Sequence, residues 1–263
     1  MAELTYKDEA AAGYDRVFGW VSRHFIPFLL RAARVAPGRR VLDIATGTGL
    51  AAEAAAALVG PHGHVTAADL SPAMVERARE RLGTLPNVTL AIEDGQALSL
   101  PDASFDSIVC SMGLMFFPDP ARGLAEFHRV LRPGGRAAVS VNTVPERSFM
   151  TRINIVIGRY VPEIAEAAAR VFSLGDEARL HSLFAEAGFS EVEITTQAHR
   201  FVLPSFDAYF EPIERGGGSS GQAYIALSEE VRRVVRKEVQ RDVGDTGGPI
   251  EIEVEIRFAS GRR

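Results

Sequence analysis

The sequence predicts an α/β fold built on a doubly wound, mostly parallel sheet of seven strands with helices on both faces. Three observations carry that prediction. Short apolar runs alternate with helical stretches from residue 41 to residue 141, the repetition that produces parallel strands joined by right-handed crossovers. The run at 41–45 is apolar apart from Asp43, as suits a strand buried on both faces. Two later stretches, 192–202 and 250–258, alternate apolar with polar residues, which is the period of a strand rather than a helix.

Each element has a local reason. At the N-terminus Val17, Trp20, Val21, Phe25, Phe28 and Leu29 recur at spacings of three and four, so the first 37 residues read as helix. Pro27 is expected to divide or bend that helix, and Pro37-Gly38 closes it. Strand one is Val41 to Ala45. An Ala-rich helix from Leu50 to Val59 follows and stops at Gly60-Pro61. Strand two runs from His64 to Leu70, after which Ser71-Pro72 supply an N-cap and first residue for a helix through Leu82. Val88–Ile92 and Phe105–Ser111 are strands three and four. Asp119-Pro120 opens a helix with Leu124, Phe127, Val130 and Leu131 on one face, and Pro133-Gly134-Gly135 turns it into strand five, Arg136 to Val141. A short helix at 178–187 ends at Gly188. Ser228-Glu229-Glu230 caps a last helix with a valine stripe. Gly216 to Gly221 is entirely glycine and serine, lacks the Lys-Ser/Thr ending of a phosphate loop, and reads as a mobile hinge.

Residues 1–263 are expected to form one domain: a helical cover at 1–37, a core at 38–142, helical insertions forming a lid at 143–175 and 204–248, and a terminal strand at 249–260. Apolar residues make up 46 % and charged residues 24 % of the chain, the balance of a globular protein with a full core. The net charge of −5 argues against a general affinity for nucleic acid. Cys110 is the only cysteine, which excludes an internal disulfide and a multi-cysteine metal site; no metal is expected. The polar start is unlike a signal peptide, and no apolar run reaches the ~18–20 residues of a membrane span. The expectation is a cytoplasmic protein, monomer or homodimer.

Three features that bear chemistry fall in order at strand ends. The turn Asp43-Ile44-Ala45-Thr46-Gly47-Thr48-Gly49 has glycines that let backbone amides approach a ligand. With Ala52 it also satisfies the relaxed dinucleotide fingerprint. Asp69 closes strand two about twenty residues later, where an acid accepts ribose hydroxyls; nicotinamide and S-adenosylmethionine cofactors both carry adenosine, so this step leaves both open. The third feature separates them. Strand three ends in Glu93-Asp94-Gly95-Gln96, and a carboxylate there suits the exocyclic amine of adenine, with neighbouring amides for its ring nitrogen.

Together with Arg129-Val130-Leu131-Arg132-Pro133-Gly134-Gly135, these residues resemble the class I S-adenosylmethionine-dependent methyltransferases. They look closest to the bacterial group that includes the ubiquinone/menaquinone C-methyltransferases. The resemblance implies a Rossmann-like methyltransferase fold, S-adenosylmethionine as cofactor with S-adenosylhomocysteine as product, and a small-molecule acceptor methylated at O, N or C. It makes Ala45, Thr46, Gly47, Thr48 and Gly49 the cradle of the methionine moiety, supported by Asp43. It gives the ribose to Asp69, the adenine faces to Leu70 and Met74, and the adenine edge to Asp94, Gly95 and Gln96. Ser111 and Met112 would lie beside the sulfonium methyl. Tyr14 and Phe18 in the N-terminal helix, with Met115 and Phe116 after strand four, would border the acceptor. Ala45 stands where many relatives have Gly, a change expected to be harmless. The stretch that follows strand five in the quinone methyltransferases has no counterpart in 143–175, which argues against a quinone acceptor.

No catalytic residue is assigned. Sulfonium is already a good leaving group, so alignment and exclusion of water suffice unless the nucleophile arrives protonated. The six histidines read as surface or local structure, and Cys110 as a buried small residue. Two other functions share the opening turn. A nicotinamide-dependent oxidoreductase is disfavoured because no Tyr-x-x-x-Lys pair is present and the acid after strand three has no role with NAD. A non-catalytic S-adenosylmethionine-binding scaffold would keep the same motifs.

Overall fold

A computed structural model describes the backbone from residue 8 to residue 263 and the side chains from residue 19 onward, residue 219 excepted. The sheet has seven strands: β1 (Arg40–Ile44), β2 (His64–Asp69), β3 (Val88–Ile92), β4 (Phe105–Ser111), β5 (Leu131–Asn142), β6 (Ser190–Leu203) and β7 (Ile250–Arg262). Their order is β3-β2-β1-β4-β5-β7-β6. The first five run parallel, and β7 is antiparallel to both β5 and β6. This is the mostly parallel seven-stranded sheet that the alternation of elements predicts. Strand β5 begins five residues before the expected Arg136, because Leu131 already pairs with Phe105 across an irregularity in the register.

Ten helices flank the sheet among the described residues: α1 (Asp8–Ala32), α2 (Leu50–Val59), α3 (Pro72–Leu82), α4 (Pro120–Val130), α5 (Thr151–Gly158), α6 (Pro162–Val171), α7 (Glu177–Glu186), α8 (Phe206–Glu214), α9 (Gly218–Ile225) and α10 (Glu229–Asp242). Strand residues alternate between two cores. Val41, Val109 and Ala138 join α1, α2 and the insertions on one face. Leu42, Ile108, Cys110 and Val139 join α4 and α7 on the other. Helix α4 shows the logic locally. Asp119 accepts from the Arg122 amide as N-cap, Pro120 opens the first turn, and Leu124, Phe127 and Val130 are buried.

Two expectations are narrowed or fail here. Of the two outcomes expected at Pro27, a break does not occur: α1 runs through it. The proline is exposed while Phe25, Ile26, Leu29 and Leu30 are buried, so the carbonyl it deprives of a partner faces water. Nor is 216–221 a mobile hinge. Gly216, Gly217 and Gly218 are buried, the Gly217 amide donates to the Pro212 carbonyl, and α9 starts at Gly218. A Cβ on Gly221 would lie 2.5 Å from the backbone carbon of Gly216. Glycine there serves close packing of one turn on the next.

β1 sits where the chain direction across the sheet reverses: its connection leads to β2 on one side, while β4 borders it on the other. Loops leaving β1 and β4 therefore part, opening a crevice at the carboxyl ends of the strands. Helices α1, α5, α6 and α9 close over that crevice. No described helix is long and apolar enough to cross a membrane.

Candidate active site

The turn after β1 is held in place by the two acids that flank it. Asp69, at the end of β2, accepts from the Gly47 amide with one oxygen and from the Ser71 amide with the other, both at 2.9 Å. It thus ties the turn to the start of α3. Burial pushes its carboxyl above the usual carboxylate range, and the amides of Ser71, Gly47 and Leu70 oppose that rise. Asp43 is wholly buried within β1. The Thr46 hydroxyl donates to its Oδ2 at 2.6 Å, and its Oδ1 has no hydrogen-bond partner. Burial, helped by the nearby charge of Asp69 and opposed by Thr46 and the Ala52 amide, raises its pKa to about 7. A buried carboxylate oxygen without a partner is costly in a native fold.

The turn's backbone is unusual. Gly47 and Gly49 have φ of 55° and 85°, and Ala45 has 56°. A Cβ at Gly47 would meet nothing within 4 Å, whereas at Gly49 it would strike Leu82 of α3 at 2.8 Å. Gly47 thus leaves the space above the turn open, and Gly49 lets α2 pack on α3. Ala45 takes this conformation at a cost that Gly would not incur: an L-residue in the left-handed region is disfavoured by roughly 1 kcal/mol. Its methyl also needs room, which Gly113 provides. A Cβ on Gly113 would sit 2.5 Å from that of Ala45. Helix α2 begins with Gly49 as N-cap and no side-chain cap, and the Ala52 amide in its first turn acts on Asp43.

Across the crevice, Met112 at the end of β4 also has positive φ, 56°. Its amide donates at 3.1 Å to both the carbonyl and the hydroxyl of Ser140 on β5. Two non-glycine residues with positive φ thus face each other at the ends of adjacent strands, and such strain gathers at functional sites. Beyond β3, Asp94 accepts from the Gln96 amide at 2.9 Å, and Gln96 in turn accepts from the Asp119 amide at 2.7 Å. Gly95 is buried, and a Cβ there would meet the Phe117 ring at 2.4 Å. Leu70 is 58 % exposed beside the turn, while Met74 is buried.

Of the residues singled out from the sequence, Ser111, Met112, Met115 and Phe116 line a cavity, while the 45–49 turn, Asp69 and Asp94 follow the neighbouring strands β1, β2 and β3 and are not among its lining residues. Tyr14 and Phe18 lie on α1 at positions whose side chains are outside the described residues. Residues that sequence reasoning missed complete the cavity: Ser140 and Asn142 on β5, Thr151 and Asn154 on α5, and Ser220 on α9. Asn142 could have been found as the polar residue ending an apolar strand. Asn154 and Ser220 carry no such signal, since they meet only in three dimensions, Ser220 donating to Asn154 Oδ1 at 2.6 Å. The histidines lie elsewhere: His24 stacks on His199, and His128 meets the edge of Phe189. Burial raises the Cys110 thiol above its usual range, leaving it unreactive. No cluster of groups suited to a metal occurs among the described residues.

Comparison with known proteins agrees with this arrangement. Residues 41–135 match a family model described as a methyltransferase domain. The ubiquinone/menaquinone biosynthesis C-methyltransferase of Teredinibacter turnerae is 33 % identical over 192 residues, covering 67 % of this chain and 77 % of that one. The enzyme of the same name from Pseudomonas fluorescens is 31 % identical over 193 residues, 68 % and 75 % of the two chains. Among solved structures, the phosphoethanolamine N-methyltransferase 2 of Haemonchus contortus superposes with a TM-score of 0.63 at 19 % identity, over 99 % of this chain and 58 % of that one. The YcgJ protein of Bacillus subtilis gives 0.59 at 19 % identity, over 91 % and 98 %. At those identities the structural matches speak for the fold alone.

Proposed function

The chain belongs to the class I S-adenosylmethionine-dependent methyltransferases, and from that premise we propose that it transfers the methyl group of S-adenosylmethionine to a small molecule held at the ends of β4 and β5. The observation that carries this reading is the turn after β1, open at Gly47, with the buried carboxyl of Asp43 close behind it in sequence and its Oδ1 short of a partner. An ammonium group at the turn would be drawn by the Asp43 charge, and the start of α2, which has no side-chain cap, suits the carboxylate of the same amino acid. The residues present fit the cofactor.

Asp43 would hold the ammonium of the methionine moiety, with Ala45, Thr46, Gly47, Thr48 and Gly49 around its chain. Asp69 would accept the ribose hydroxyls with the lone pairs that the Gly47 and Ser71 amides leave over. Leu70 and Met74 would flank the adenine, and Asp94 with the Gly95 amide would read its edge. The Gln96 amide is turned inward to Asp94, so its part would be to hold that loop. Ser111 and Met112 would sit beside the reacting methyl. When bound, S-adenosylmethionine supplies an electrophilic methyl whose bonding pair stays on sulfur as the methyl leaves. The chain's own contribution is alignment and exclusion of water. Residues 1–37, 143–175 and 204–248 would act as the cover and lid that achieve the exclusion, with 38–142 as the cofactor-binding core and 249–260 as the closing strand.

Calorimetric titration with S-adenosylhomocysteine and, separately, with NADH tests the cofactor. The first should bind and the second should not; the reverse would identify a nicotinamide enzyme. Incubation with methyl-labelled S-adenosylmethionine and a deproteinised, nucleic-acid-free metabolite extract tests turnover. Label in a small product is expected, and binding without any transfer would make the chain a scaffold.

A further inference from the structure

Beyond the glycine turn, the described residues of α1, α5, α6 and the ends of β4 and β5 enclose a cavity of about 190 Å³. An apolar cavity of ~150 Å³ suffices to take up benzene, so this one has room for a substituted ring. Its wall is largely apolar, with Phe25, Met115, Phe149, Ile164, Phe172 and Val254 prominent. Every polar side chain among the described lining residues is a serine, a threonine or an asparagine. None is Asp, Glu, Lys, Arg, His, Tyr or Cys. An ion entering such a space gives up its hydration and finds no counter-charge among the described lining residues.

The neutral groups in the wall are not equally available. Ser140 already accepts from the Met112 amide, and Ser220 donates to Asn154. Asn142 differs. It is 6 % exposed, and among the described residues its side-chain nitrogen meets only the Met115 thioether, at 3.8 Å. Sulfur is a weak acceptor, so the carboxamide keeps capacity to donate and to accept. It stands at the end of β5, in the same wall as Ser111 and Met112.

We propose that this cavity is the acceptor site, and that it selects an uncharged, mainly apolar molecule of about one ring whose polar group is bound by the Asn142 carboxamide. The inference rests on the reading of the crevice as a methyl-transfer site and narrows its substrate class.

Binding can be read without turnover. Trp20 is the only tryptophan, and its ring lies edge-on to that of Phe149 at 4.9 Å. Its emission therefore reports on the cavity wall. The protein is titrated with 4-butylbenzyl alcohol, 4-butylbenzoate and 4-butylbenzylammonium, which share a body and differ in charge. The alcohol should bind at least about tenfold more tightly than either ion. Asn142→Leu should weaken the alcohol about fivefold, the value of one neutral hydrogen bond, and leave 4-butyltoluene unchanged. Ala168→Asp, a half-buried wall position on α6, should strengthen the ammonium probe several-fold.

An ion that equals or exceeds the alcohol overturns the charge selectivity, as does an Ala168→Asp protein with unchanged preference. Equal effects of Asn142→Leu on alcohol and hydrocarbon overturn the role of the carboxamide. S-adenosylhomocysteine is titrated in parallel. If it binds while no probe perturbs Trp20, this inference alone falls; if it does not bind, the reading of the crevice falls and takes the inference with it.

Discussion

Replacing Asp43 with Asn removes one proton-binding site from the interior and leaves the shape of the side chain almost unchanged. The carboxyl is wholly buried, receives one hydrogen bond from Thr46, and has its pKa raised to about 7. In the unfolded chain an aspartate titrates near ~3.9. Between those two values the native state holds a proton that the unfolded state has released. The native state binds more protons there, so the wild-type protein loses stability as pH rises from about 4 to about 7. Roughly three pKa units correspond to a loss on the order of 4 kcal/mol. The Asn variant lacks this term. Denaturant titrations should show it more stable than wild type at pH 8, with the gap closing toward pH 5.

The same proton gives a direct test of the proposed ligand contact. A bound ammonium beside Oδ1 favours the ionised carboxylate. At pH 7 about half of the Asp43 side chains carry a proton, so binding of S-adenosylhomocysteine should release about half a proton per site. Calorimetry in buffers of different ionisation enthalpy measures that number. Asp69 also has a raised pKa, and the Asn variant separates the two: its release should fall to near zero if Asp43 is the source. Its affinity should drop by about 1.5–3 kcal/mol, the range for a charged hydrogen bond. A wild-type enthalpy independent of buffer would refute the reasoning, and so would an undiminished release from Asp43→Asn.

Asp69→Ala should weaken S-adenosylmethionine binding by about 1.5–3 kcal/mol in calorimetry. Asp69→Asn should restore only part of the loss, since an amide cannot accept from both the Gly47 and Ser71 amides. Unchanged affinity would remove the ribose from this position. Gly113→Ala should destabilise the fold by about 1–3 kcal/mol in chemical denaturation, because the new methyl meets Ala45 at 2.5 Å and Cys110 Sγ at 2.9 Å. Adding Ala45→Gly should recover part of that cost, and strict additivity of the two changes would show that they do not touch. Hydrogen exchange should quicken in 143–175 and 204–248 when the cofactor is removed, and equal protection with and without it would deny these segments a lid role.

The elements up to β5 were legible because each start and stop has its own chemistry. Ser71-Pro72 and Asp119-Pro120 cap α3 and α4 as written, with Ser71 accepting from the Met74 amide and Asp119 from that of Arg122. The turn of residues 45–49 was legible as a backbone shape, since glycine at 47 and 49 marks positive φ. Ala45 was not, because nothing in an alanine announces that its neighbours will force it to 56°. The break considered at Pro27 and the hinge expected at Gly216–Gly221 failed for a related reason. Local propensity describes an isolated segment, while exposure on α1 and close packing around α9 are properties of the assembled fold.

Met115 and Phe116 after β4 were legible as cavity residues, but the part of the cavity wall built by α5, α6 and α9 was closed to sequence reasoning for a different cause. On the cofactor side, backbone turns and strand-end acids each demand a particular residue type, and the family match over residues 41–135 covers that side. On the other side, α5, α6 and α9 ask only for apolar or small residues that fit, a demand that many sequences meet. Asn154 and Ser220 are separated by 66 positions and become one polar spot only when two helices pack. The donor half and the acceptor half therefore answer to different constraints. Substitutions on the cavity face of 143–175 and 204–248 can reshape the acceptor pocket while Asp43, Gly47 and Asp69 stay fixed. On the proposed reading, the residues that choose the acceptor are the ones this fold constrains least.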